Sequence, residues 1–135
     1  MVVATVAPGH VDARYGSNHR DACSRPKPYE EWEAKMAGAE AELRNVMLEE
    51  VALAQGQSWG LRFEVLDVTR LAFMRPDGHP GTYFFKHAYA GQEVPETAPN
   101  DCLHWCAPGL VDTFNDILMQ IVGRAAEAER SSQQS

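Results

Sequence analysis

Apolar positions gather in four blocks along the chain. The first, Met1-Val2-Val3-Ala4-Thr5-Val6-Ala7, is nearly unbroken, rich in β-branched residues, and ends at Pro8-Gly9. A short apolar run closed by such a pair predicts a strand, and its lack of alternation predicts a parallel sheet covered on both faces. Over residues 30–55, Trp32, Met36, Ala39, Leu43, Val46, Met47, Val51 and Ala54 recur at intervals of three and four. That spacing predicts a helix with one apolar stripe, ended by Gly56. Glu30, Glu31, Glu33, Lys35, Glu40, Glu42, Arg44, Glu49 and Glu50 form its solvated face. Over 61–68, Leu61, Phe63 and Val65 alternate with Arg62 and Glu64 before Leu66 and Val68, which predicts a second strand. Strand, crossover helix and strand make a βαβ unit, so the fold class is α/β. Last, Leu110, Phe114, Ile117, Leu118, Ile121 and Val122 predict an amphipathic helix ending near residues 123–128, with a frayed polar tail after it.

The connecting segments are polar. Residues 10–29 form a long loop, a length that is uncommon unless the loop is functional or pinned, and Cys23 is the available pin. Arg75-Pro76-Asp77-Gly78-His79-Pro80-Gly81 is turn-rich, and its prolines and glycines argue against helix or central strand. Thr82-Tyr83-Phe84-Phe85 reads as a short aromatic edge, and 91–99 as another loop.

Composition narrows the function classes. A chain of 135 residues with 44% hydrophobic positions suits one domain with a core. A net charge of −7 argues against nucleic acid and against anionic lipid surfaces. No apolar run reaches the length of a membrane span, and the N-terminus lacks the basic start of a signal peptide. Taken alone, these features predict a cytosolic chain. The three cysteines, Cys23, Cys102 and Cys106, disagree with that, since an odd number leaves one thiol without a partner in any disulfide scheme.

Reactive chemistry concentrates in Asn100-Asp101-Cys102-Leu103-His104-Trp105-Cys106. Residues three apart on a turn can touch. An Asp accepting from one ring nitrogen of a His fixes its tautomer and leaves the other nitrogen to move a proton. The plain alternative is an Asp cap beside a half-buried His. Cys102 and Cys106, with His104 and Cys23, are candidate zinc ligands, although the spacing is not a marked finger pattern. Alternatively they form disulfides, and either Cys23–Cys102 or Cys23–Cys106 would clamp this loop. Trp105 is a candidate sugar-stacking platform or a core plug. His79 and His10 either line a pocket or are turn histidines. Ser17, Ser24, Ser58, Ser131, Ser132 and Ser135 all lie outside a Gly-Asp-Ser or Gly-x-Ser-x-Gly setting, and no oxyanion donor stands out. The sequence calls for no cofactor.

Asp101-Cys102-Leu103-His104-Trp105-Cys106-Ala107-Pro108-Gly109, followed by Asp112-Thr113-Phe114-Asn115, resembles the C-terminal signature of the plant trichome birefringence-like proteins. These are polysaccharide O-acetyltransferases with a PC-esterase domain. Leu66-Asp67-Val68-Thr69 and Arg75-Pro76-Asp77-Gly78-His79-Pro80 resemble the segment before that signature. Pro8-Gly9-His10 resembles the family's Ser-Pro-x-His stretch. Cys23-Ser24-Arg25-Pro26 resembles its Gly-Gly-x-Cys-x-Arg-Thr run, with Asp21 and Ala22 in place of the glycines. The resemblance implies part of an SGNH/GDSL-like three-layer α/β/α sandwich without its N-terminal half. Residues 1–126 would be the C-terminal portion of the domain and 127–135 a disordered tail.

By the same resemblance, Asp101 orients the imidazole and His104 is the general base, with a Gly-Asp-Ser serine earlier in such proteins completing the triad. The partners would be a polysaccharide acceptor and an acetyl donor, and the compartment the Golgi, although this chain shows no anchor or signal. The resemblance also favours Cys23–Cys102 as the disulfide and leaves Cys106 without its partner. The expectation is a chain inactive alone. The alternatives are a small Cys/His zinc-binding module or a non-catalytic glycan-binding remnant.

Overall fold

The computed structural model of the chain describes residues 1–23, 25–57, 60–84 and 89–133. Ser24, Ser58, Ser135 and Phe85, which figure in the sequence reading, lie outside these residues. Two strands, β1 (Val2–Ala4) and β2 (Glu64–Leu66), pair in parallel with Val3 opposite Val65. Helix α1 (Ala39–Gln57) lies between them in sequence, as the periodicity predicts. Beyond β2 come a short helix α2 (Thr69–Phe73), a one-turn 3-10 helix (Pro76–Gly78) and the long helix α3 (Leu110–Gln133). The class is mixed α/β.

The core lies between β2 and α3. Leu66, Val68 and Ile121 are buried there, with Ala7, Phe114, Ile117 and Leu118 packed against them. The apolar stripe read for α3 is therefore the stripe that covers the sheet. The stripe read for α1 has no such cover. That helix buries no residue, and Leu43, Val46 and Leu53 are each more than half exposed.

Four expectations are corrected. Helix α1 begins at Ala39 rather than at residue 30, because Gly38 sits at φ 80°, in the left-handed region where a helix cannot continue. The segment before it instead forms a turn in which the Glu33 carboxylate accepts from the Glu30 N–H (2.8 Å) and from Arg25 (2.6 Å). The strands are three residues each, and Val2 and Ala4 are exposed, so β1 is not covered on both faces. The proline-rich turn admits one turn of 3-10 helix, since its first proline stands at the start, where no N–H is needed. Helix α3 runs through Gly123 and takes in residues 127–133, which were expected to be a disordered tail.

Thr5 ties the end of β1 to the start of α2. Its Oγ1 accepts from the N–H groups of Val68 (2.9 Å) and Thr69 (3.2 Å) and donates to the Asp67 carboxylate (3.1 Å). Thr69 Oγ1 in turn donates to the Val6 carbonyl (2.6 Å). Arg44 of α1 pairs with both oxygens of Asp67 and is the chief reason that carboxyl lies below the ordinary range. This knot fixes where the chain leaves the sheet and hence where residues 69–81 begin.

Candidate functional site

The loop 101–106 is held on several sides by main-chain bonds. Asp101 and Gly81 exchange both N–H···O bonds at 3.0 Å in an isolated antiparallel bridge, whereas residues 82–84 of the predicted aromatic edge form no strand. The His10 N–H donates to the Cys102 carbonyl (3.0 Å), and the Cys106 N–H to the Gly78 carbonyl (2.9 Å). Gly9 lies close against this loop. A Cβ there would lie 2.4 Å from Leu103 Cδ2 and 3.0 Å from the Cys102 carbonyl oxygen. Cys23 and Cys102 are joined by a disulfide across 79 residues of sequence, and Cys102 is fully buried. Cys106 is free and exposed. After it, Ala107–Pro108 is cis, and Asp112 accepts from the Gly109 N–H (2.6 Å) as α3 starts.

Within this frame Asp101 and His104 meet. Asp101 Oδ1 accepts from the main-chain N–H groups of Leu103 (3.1 Å) and His104 (2.9 Å), and Oδ2 from the His104 ring at Nδ1 (2.8 Å). The carboxylate thus builds the turn that places the imidazole it binds. Burial raises the Asp101 pKa, but the two main-chain donors and the ring outweigh it, so the carboxyl sits below the ordinary range. The Asp101 side chain is 9% exposed and the His104 side chain 77%. With Nδ1 engaged, Nε2 is the nitrogen left to exchange a proton, and it has no hydrogen-bond partner among the described residues. The ring is thereby oriented, with Nε2 open to take up or release a proton.

An apolar depression of about 290 Å³ opens beside it, lined by Val11, Phe84, Pro99, Leu103 and the His104 ring. Phe84 lies nearly parallel to that ring, 6.2 Å between centroids. The sequence marks Phe84 only as part of an aromatic edge and Gly9 only within Pro8-Gly9-His10, since each acts through a contact between segments far apart in the chain. A larger cavity of about 600 Å³ is lined by His10, Asp12, Arg14, Arg25 and Tyr29 but not by His104.

The other three candidate residues come together and do not line the depression beside His104. Trp105 packs on the His79 ring at 4.1 Å and meets His10 edge-on at 5.9 Å. His79 is 8% exposed, and its Nδ1 lies 2.7 Å from the His104 carbonyl oxygen. His79 Nε2 is 2.8 Å from His10 Nδ1, and His10 Nε2 is 2.8 Å from the Phe73 carbonyl oxygen. Burial, foremost, lowers the pKa of both rings. Among the described residues, no three His, Cys, Asp or Glu side chains converge as metal ligands do. The disulfide also removes two of the thiolates that the zinc alternative requires.

Comparison with known proteins matches residues 1–121 to the PC-Esterase family model, described as a GDSL/SGNH-like acyl-esterase family found in Pmr5 and Cas1p. The chain is 42% identical to xyloglucan O-acetyltransferase 1 of Populus trichocarpa over 89% of its own length. It is 40% identical to xyloglucan O-acetyltransferase 1 of Arabidopsis thaliana over 92%. It is 39% identical to protein trichome birefringence-like 26 of Arabidopsis thaliana over 73%. It spans only 28% of the length of the first two and 22% of the third. The matched region contains both the disulfide and the Asp101–His104 pair, and the chain belongs to the PC-Esterase family of GDSL/SGNH-like acyl-esterases.

Proposed function

We propose that this chain supplies the Asp–His base for acetyl transfer to hydroxyl groups of a cell-wall polysaccharide of the xyloglucan kind. The observation that carries this reading is the 2.8 Å bond between Asp101 Oδ2 and His104 Nδ1 on an otherwise exposed imidazole. The names of the relatives supply the acceptor class. In this scheme His104 Nε2 takes the proton of a serine hydroxyl as the serine attacks the acetyl donor, then passes that proton to the leaving group. It next takes the proton of a sugar hydroxyl as that oxygen attacks the acetyl-serine, and returns it to the serine. The apolar depression beside His104 suits an acetyl methyl. The scheme assigns the serine to a part of the protein outside these 135 residues, a reading supported by the lack of a Gly-Asp-Ser here and by the chain's 28% coverage of its Populus trichocarpa relative. Cys106 would find its partner there too. A buried disulfide suits an oxidising compartment, in keeping with the Golgi lumen.

The test is an acetyl-transfer assay on xyloglucan oligosaccharide with the purified chain alone. No turnover above background is expected. Turnover that needs no other chain and disappears in His104→Ala would overturn the placement of the serine elsewhere. Binding of the oligosaccharide without turnover, unchanged in His104→Ala, would favour the glycan-binding remnant.

A further inference from the structure

The contacts of His10 and His79 fix how many protons the two rings hold. A carbonyl oxygen can only accept, so His10 Nε2, facing the Phe73 carbonyl, must carry a hydrogen. His79 Nδ1, facing the His104 carbonyl, must carry one as well. Two neutral imidazoles would then turn bare lone pairs toward each other at His10 Nδ1 and His79 Nε2, which are 2.8 Å apart. That distance suits a hydrogen bond and not two facing lone pairs. The three contacts coexist only if a third proton lies between the rings.

We propose that His10 and His79 share a single proton, and that this cationic pair acts as a positioning device for His104. The catalytic meaning rests on the acetyl-transfer reading above; the protonation does not. The His104 peptide groups are gripped at both ends, since Asp101 accepts from the His104 N–H and His79 donates to its carbonyl. If the shared proton leaves, one ring must change tautomer and give up its carbonyl. His10 would release Phe73, or His79 would release His104.

Burial, the largest influence on both rings, opposes positive charge there, and nearby carboxylates counter that effect. Asp77 and Glu40 act on His10, and Asp101 and Asp77 on His79, all favouring a positive ring. Asp77 is itself paired with Arg75 (2.8 and 2.9 Å), and Asp101 with His104. The rings also pack on Tyr29, Phe73 and Trp105; His10 borders the larger cavity with Asp12, Arg14, Asp21 and Arg25, and His79 borders a smaller one with Arg20 and Arg25. Burial and mutual repulsion oppose a second charge. The pair therefore titrates as a unit, and the His104 main chain responds to it.

The experiment is a pH titration of the whole chain with isotope-labelled histidine, followed by NMR. At the acid end, two rings should show three N–H protons, one of them far downfield and coupled to nitrogens of both His10 and His79. Raising the pH should remove that signal and shift the Trp105 amide, whose peptide carries the His104 carbonyl, with the same midpoint. In His79→Asn, the side-chain amide can stand in for Nδ1–H but cannot take a proton. The Trp105 amide should then lose its pH dependence, whereas His79→Ala should not restore the native shift. Two ring N–H protons at every pH with both carbonyl bonds kept, or separate midpoints for the two rings, would overturn the proposal. The unmodified chain decides even if a variant fails to fold, and no step reads acetyl transfer.

Discussion

At the scale of single residues, the site depends on carboxylates held in their charged form. Asp101 and Asp67 both have folded-state pKa values below the ordinary carboxylate range. Burial opposes this at Asp101, and Arg44 is its chief cause at Asp67. The unfolded chain therefore binds these protons at higher pH than the folded one does. Their contribution to stability is complete above the ordinary carboxylate range and is lost as pH falls through their lowered values. Acid unfolding followed by circular dichroism should show this. Asp67→Asn should flatten the acid limb, and an unchanged limb would contradict the assignment. The Asp101–His104 pair was legible in the sequence because a spacing of three is a local property. The burial of His79 and the stacking of Trp105 on it were not, because they depend on residues 10 and 73 arriving from elsewhere.

At the scale of elements, the two ends of the βαβ unit differ in what holds them. Thr5→Val would strip two buried N–H groups of their acceptor and should cost about 1–3 kcal/mol in denaturant melts. Leu53→Ala on the exposed face of α1 should stay within about 0.5 kcal/mol. Cys23→Ser opens the 79-residue loop and should cost on the order of 4 kcal/mol in the chain-entropy picture. Cys106→Ser should be close to neutral, because that thiol is exposed and unpaired. The parallel pairing of β1 and β2 was readable from two apolar runs and a helical period between them. The start of α1 was not, because the period of Trp32 and Met36 runs straight through Gly38, and periodicity carries no signal for a positive φ. Helix α2 and the 3-10 turn are too short to show any period at all.

At the scale of the whole molecule, surface decides. The chain exposes 9427 Å², against about 7,000 Å² for a compact monomer of 15.0 kDa. The excess agrees with a two-stranded sheet, an α1 that buries nothing, and exposed Trp32, Leu43 and Leu61. Studied alone, the native chain should bind a hydrophobic dye and unfold with a shallow denaturant dependence. A steep transition with no dye binding would contradict that. The central claim, that Asp101 and His104 form the working base of an acetyl transfer, is tested most directly in a chimera. This chain would replace the aligned segment of Populus trichocarpa xyloglucan O-acetyltransferase 1. Acetyl transfer to xyloglucan oligosaccharide should be retained, and should fall by about 10⁴-fold in Asp101→Asn and by about 10⁶-fold in His104→Ala. A chimera whose transfer survives His104→Ala, or a folded chimera with no transfer at all, would contradict it.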